Sequence, residues 1–134
     1  MLSHLPKNEV RDIAVAVVLE EASAEAKSWR VFLLNLKDEA IETVMISSKG
    51  YGTKDGKEVK TSVLRHAFPR IEAREYALVE LIDEQVFGLN NEYWLSYYLH
   101  GTIYDKKFIF LPESIVEENL VRVPLVNKPG VIIG

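Results

Sequence analysis

The chain has no cysteine. Disulfide scaffolds, thiolate metal sites, redox pairs and a cysteine nucleophile are excluded together, and stability is left to an apolar core. Long hydrophobic runs are missing as well. The longest, Ile13 to Leu19, falls far short of the roughly 20 residues that a membrane-spanning helix needs. The opening stretch MLSHLPKNEVRD has no basic region followed by an apolar one, so no secretory signal is expected. No Asn-x-Ser/Thr sequon occurs either, and the expected compartment is the cytoplasm. Basic residues are outnumbered, 16 Lys and Arg against 20 Asp and Glu, for a net charge of −4. Nonspecific nucleic-acid binding rests on clustered cations that neutralise phosphates, so nucleic acid is not the expected partner.

What is present is core material. Of the 134 residues, 48% are hydrophobic and 10% aromatic, which suffices for one self-supporting domain over 1–134. Charged residues at 27% supply an ordinary solvated face. Residues 1–9 are expected to fray and 112–134 to pack back on the sheet.

The hydrophobic pattern is that of strands. Ile13, Val15, Val17 and Leu19 alternate with Ala14, Ala16 and Val18, whose small size suggests that the second face is covered too. Residues 28–36 follow with Trp29, Val31 and Leu33 on one face and Phe32 and Leu34 on the other. Residues 40–48 read as a third strand, Val44 and Ile46 facing away from Ile41, Thr43 and Met45, and the polar turn Lys37-Asp38-Glu39 predicts a hairpin joining the two. Residues 49–57 carry three glycines and Asp55-Gly56, the composition of a hairpin-type loop with positive-φ positions. A fourth strand over 58–66 is expected to end before Pro69, and a fifth covers 75–83. The clearest hairpin joins 92–99 to 103–111 across His100-Gly101-Thr102. Beyond Pro112 the chain predicts one helical turn, a short strand over 120–126 interrupted by Pro124, and a Val131–Ile133 tail. About seven short strands with no long amphipathic helix give an antiparallel β-sandwich of immunoglobulin-like architecture, with a partly open barrel as the alternative.

No motif carries a specific chemistry. The run Gly50-Tyr51-Gly52-Thr53-Lys54-Asp55-Gly56-Lys57 superficially resembles a phosphate-binding loop, but five residues separate Gly50 from Gly56, and Glu58 follows Lys57 where Ser or Thr is required. No helix follows whose N-terminus would face a phosphate. Its lysines, Lys49, Lys54, Lys57 and Lys60, are the kind that guard exposed strand ends, with Tyr51 beside them as a stacking surface. His4, His66 and His100 lack metal-ligand spacing, so no metal and no cofactor is implied. The carboxylate pairs Glu20-Glu21, Asp83-Glu84 and Glu117-Glu118 are those of any acidic protein, and Ser47, Ser48, Ser62 and Ser96 have no nucleophile-elbow context. The aromatics are the informative feature. Tyr93, Leu95, Tyr97 and Leu99 share one strand face and Trp94, Ser96 and Tyr98 the other, with Tyr104, Phe108 and Phe110 on the neighbouring strand. One set must be core. The other is either covered by the segment after Pro112, the expected outcome, or exposed as a contact strip.

Lys49-Gly50-Tyr51 after an apolar strand, Leu89-Asn90-Asn91-Glu92-Tyr93, and Asp105-Lys106-Lys107-Phe108 with Pro124 and Gly130 downstream resemble a family of small uncharacterised bacterial proteins. Some of its members carry the label phenylalanyl-tRNA synthetase alpha subunit. The chain has neither the length nor the arginine-bearing ATP motifs of such an enzyme, so the resemblance implies no catalytic residue.

The expected function is therefore non-catalytic binding, of a protein partner or of a second copy of the chain. The alternative is a small-molecule or carbohydrate site on Tyr93, Trp94, Tyr97, Tyr98 or Tyr104. The third reading, an RNA-associated accessory domain, uses Lys49, Tyr51, Lys54 and Lys57.

Overall fold

The computed structural model describes residues 8–23 and 25–134. Among the described residues ten strands, rather than about seven, form two antiparallel sheets: β1 (Ile13–Ala22), β2 (Lys27–Asn35), β3 (Ile41–Lys54), β4 (Lys57–Lys60), β5 (Leu64–Ile71), β6 (Glu75–Ile82), β7 (Asn90–Leu99), β8 (Thr102–Phe110), β9 (Val121–Arg122) and β10 (Pro129–Ile133). The first sheet runs β6-β2-β1-β10-β9. The second runs β4-β3-β7-β8, with β5 pairing along the first half of β3 and β4 along its last residues. Short 3₁₀ turns at Glu84–Val86 and Glu117–Asn119 are the helical elements among the described residues.

One apolar layer lies between the sheets. The first contributes Ile13, Val15, Val17, Val31 and Leu33, and the second Val44, Ile46, Tyr93, Leu95, Tyr97, Phe108 and Phe110. On β1, β2 and β7 every second residue enters it, which is why the alternating pattern is legible there.

Four local expectations are overturned. β2 and β3 do not form a hairpin: β2 pairs with β1 and β6, β3 with β4, β5 and β7. The polar turn between them carries the chain from one sheet to the other. Asn35, fully buried, fixes that crossing: its amide donates to the carbonyls of Glu39, Ile71 and Glu72 at 2.9, 3.2 and 3.0 Å, and its oxygen accepts from the Lys37 N–H at 3.1 Å. Secondly, Ile41 shares the core face with Val44 and Ile46, because a bulge between Glu42 and Met45 places Thr43 at φ 48° and resets the alternation. Thirdly, the glycine stretch is not a loop. β3 continues through it to Lys54, and only Asp55 and Gly56, at φ 53° and 77°, make the turn. Fourthly, Pro69 lies inside β5 instead of ending it; β5 is an edge strand, where a missing N–H is tolerated. The span expected as one strand is instead divided at Thr61-Ser62-Val63.

The C-terminal segment does not cover the aromatic strip. β10 pairs with β1, Val15 opposite Ile133 and Val17 opposite Val131. Val123, Leu125 and Val126 pack on the outer face of the first sheet with Ala14, Ala16, Val18, Phe32 and Leu34. The small alanines leave room for that cover. Gly130 is required here, because a Cβ on it would stand 2.6 Å from the Val17 carbonyl oxygen. Of the fraying expected over 1–9, residues 1–7, His4 among them, lie outside the described residues; the Asn8 amide donates to the Ile103 carbonyl at 3.0 Å.

Candidate functional site

Two places concentrate polar and aromatic chemistry, the outer face of the second sheet and the seam where β5 and β6 diverge. The outer face follows from the register. Tyr51 pairs with Asn90 and Lys60, Lys49 with Glu92, Ser47 with Trp94 and Arg65, and Met45 with Ser96. On β8, Lys107 lies opposite Trp94, Asp105 opposite Ser96 and Ile103 opposite Tyr98. Lys49 and Tyr51 are thus brought onto one face with Trp94 and Tyr98, although the sequence places them more than 40 residues apart. Met45, Trp94, Tyr98, Ile103 and Ile109 are exposed there, Trp94 at 47%.

Charges of both signs flank this row. Arg70 donates to Glu42 at 2.6 Å, and Lys49 stands 3.6 Å from the Glu92 carboxylate, which also accepts from the Tyr51 hydroxyl at 3.4 Å. The Lys107 ammonium lies 4.5 Å from the centre of the Trp94 ring, a cation–π contact across one face of the indole. Beside Trp94 is a hollow of about 230 Å³ lined by Met45, Ser47, Arg65, His66 and Ser96.

The other aromatics point inward. Tyr93 and Tyr97 are buried, Tyr93 edge-on to Phe110 at 6.1 Å and Tyr97 stacked on Tyr104 at 5.3 Å with the planes 6° apart. The Tyr97 hydroxyl has no hydrogen-bond partner among the described residues, and burial raises its pKa to about 12. Lys54 and Lys57 pair beside the Asp55-Gly56 turn, at the tip of the β3–β4 hairpin. His100 occupies the β7–β8 turn, exposed, its ring 2.5 Å from Glu39.

The seam holds the constellation that sequence reasoning missed. A bulge on β6, with Val31 opposite Glu80 and Phe32 opposite Leu78, turns Glu80 toward the second sheet. Its carboxylate receives the Ser48 hydroxyl of β3 at 2.7 Å, the His66 ring of β5 at 2.8 Å and the Tyr93 hydroxyl of β7 at 3.1 Å. One carboxylate on the first sheet therefore joins three strands of the second. Burial, then the neighbouring carboxylate, pushes the Tyr93 pKa up, so the phenol stays a proton donor. The Ser48 hydroxyl and the His66 ring both bond the Glu80 carboxylate and not each other, so the three do not form a Ser-His-acid relay. The advance signal was polarity at Glu80, inside the apolar run of β6, and at Ser48, on the same face of β3 as Val44 and Ile46.

Among the described residues no three histidine or carboxylate side chains stand close enough to hold a metal ion, and no helix is long and apolar enough to cross a membrane. Compared with family models, curated proteins and solved structures, the chain matches none.

Proposed function

We propose that the chain is a non-catalytic interaction domain of the cytoplasm, an immunoglobulin-like β-sandwich that self-associates through the outer face of its second sheet. The carrying observation is the group Met45, Trp94, Tyr98, Ile103 and Ile109, exposed on the outer sheet face with the C-terminal segment committed to the opposite side of the molecule. Exposed aromatics grouped in this way mark contact surfaces. The flanking charges argue for a second copy as occupant. Lys49–Glu92 and Arg70–Glu42 are paired within the chain, which leaves Arg65, Lys107 and Asp105 on the face, so a two-fold pairing can set a base of one copy against Asp105 of the other. The resemblance to small bacterial proteins adds no catalytic residue to this reading.

Size exclusion with light scattering, from micromolar to millimolar concentration, is the test. A dimer that becomes monomeric in Trp94→Glu and Ile103→Glu supports the proposal. A wild-type monomer throughout, or a dimer indifferent to both substitutions, sinks it.

The hollow beside Trp94 favours a second reading, a carbohydrate site. Hydroxyls of Ser47 and Ser96 and the Arg65 guanidinium border an indole, the combination that stacks and hydrogen-bonds a sugar ring. A saccharide panel read by thermal shift and by Trp fluorescence separates it from the dimer. For RNA the support is weaker, since Lys49 is already engaged by Glu92. Salt-sensitive RNA retention lost on Lys54→Glu and Lys57→Glu would restore that reading.

A further inference from the structure

Free sheet edges invite pairing with other chains, and proteins blunt them with short strands, lysines, prolines and bulges. This molecule blunts most of its edges. β9 has two residues and Arg122; β4 has four, with Lys57 and Lys60. β5 carries Arg65, Pro69 and Arg70, and β8 carries Lys106 and Lys107. β6 differs. Its eight residues, EYALVELI, contain no lysine, arginine or proline, and Tyr76, Leu78 and Leu81 are exposed, Leu81 at 68%. Its one device is the bulge at Val79, and that bulge turns Glu80 into the seam.

Directly beside this edge the seam opens as a pocket of about 230 Å³, lined by Ser48, Lys49, Leu64, Glu80, Leu81 and Tyr93 among others, with the Lys49 ammonium held by Glu92 at 3.6 Å. It is smaller than the cavities of roughly 300–1,000 Å³ that take drug-sized ligands and suits the end of one side chain. The Glu80 side chain is 12% exposed, so it is reachable yet mostly shielded from water. Ser48, His66 and Tyr93 occupy three positions on its oxygens, and a carboxylate offers about four. Residues 75–86 hold four acids, Glu75, Glu80, Asp83 and Glu84, and no base.

We propose that β6 is a docking strand for an extended segment of a partner protein, and that a lysine or arginine of this segment enters the seam pocket and pairs with Glu80. Strand addition supplies main-chain hydrogen bonds, and a side-chain pocket supplies specificity. The charge of the edge selects the occupant. A second copy pairing here would bring the same acidic strand and no cation for Glu80, whereas a basic segment completes it. This site is separate from the face that carries the proposed self-association.

A phage-displayed random heptapeptide library selected against the full chain tests the inference. Peptides with β-branched residues around a single Lys or Arg are expected to be enriched. A synthetic member should bind at least tenfold more tightly than its norleucine counterpart and protect β6 amides from hydrogen exchange. Glu80→Gln should erase the preference for the basic residue, and Leu81→Lys, at an exposed position, should abolish binding without affecting the fold. Trp94→Glu should leave peptide binding intact even where it disperses a dimer, so the two proposals fail separately. No enrichment, enrichment without a basic residue, protection confined to β7 and β8, or a dimer whose β6 amides are protected without peptide would each overturn it.

Discussion

Glu80 is the residue on which most converges. Removing its carboxylate leaves Ser48, His66 and Tyr93 without their shared acceptor. Glu80→Ala is therefore expected to cost about 2–4 kcal/mol in urea denaturation, given three hydrogen bonds to a charged group; a loss below 1 kcal/mol would mean the clasp is ornamental. Two buried tyrosines make a contrast within one strand. Tyr93→Phe removes a satisfied hydroxyl and is expected to cost about 1 kcal/mol. Tyr97→Phe removes a hydroxyl with no described partner and is expected to be neutral or stabilising. The Tyr97 pKa of about 12 against an ordinary value of 10.0 also fixes a pH dependence. Between those values the unfolded chain has released the proton that the folded chain retains. Stability from this group is thus complete below pH 10 and is lost as pH rises through about 12. Denaturation midpoints measured from pH 9 upward should fall less steeply in Tyr97→Phe than in the wild type.

At the level of elements, the decisive joints are the places where strands change partners. Asn35 ties the β2–β3 crossing to the β5–β6 corner through the Ile71 and Glu72 carbonyls. Asn35→Ala is expected to cost about 2–3 kcal/mol, a drop on the order of 6–12 °C in Tm for a chain of this size. Gly130→Ala should cost at least as much, because the methyl group meets the Val17 carbonyl, a backbone atom that cannot swing aside. Legibility in the sequence divides along the same line. The Asp55-Gly56 and His100-Gly101 turns were readable because both central positions take positive φ, a demand that only a few residues meet. The β2–β3 crossing was not, since Lys37-Asp38-Glu39 suits a hairpin and a sheet change equally, and the difference lies in bonds to residues some 36 positions away. Thr43 hid its bulge because a β-branched residue at positive φ is rare enough to carry no sequence signal. The seam cluster was equally hidden, its four members coming from four strands.

For the whole molecule, the arrangement of two sheets divides the aromatics into two populations with opposite roles. Leu95→Ala, in the core, is expected to cost about 2–5 kcal/mol. Trp94→Ser and Tyr98→Ser, on the outer face, should each change monomer stability by less than about 1 kcal/mol. Measuring all three under conditions that hold the chain monomeric checks the division, and a large loss in either outer-face variant would show those rings to be structural. The strip itself was legible as two alternating sets; whether the outward set was covered was settled by where the C-terminal segment went.

That destination also sets a clock. β10 lies inside the first sheet, between β1 and β9, and its pairing of Val15 with Ile133 spans 118 residues. During synthesis at 5–20 residues per second, β1 waits roughly 6–24 s between leaving the ribosome and meeting this neighbour. β2 follows at once and shields one edge, but the other edge of a strand apolar on both faces stays open for the interval. The nascent chain therefore remains exposed to aggregation and to chaperones even after its second sheet has been made, until the last strand closes the first.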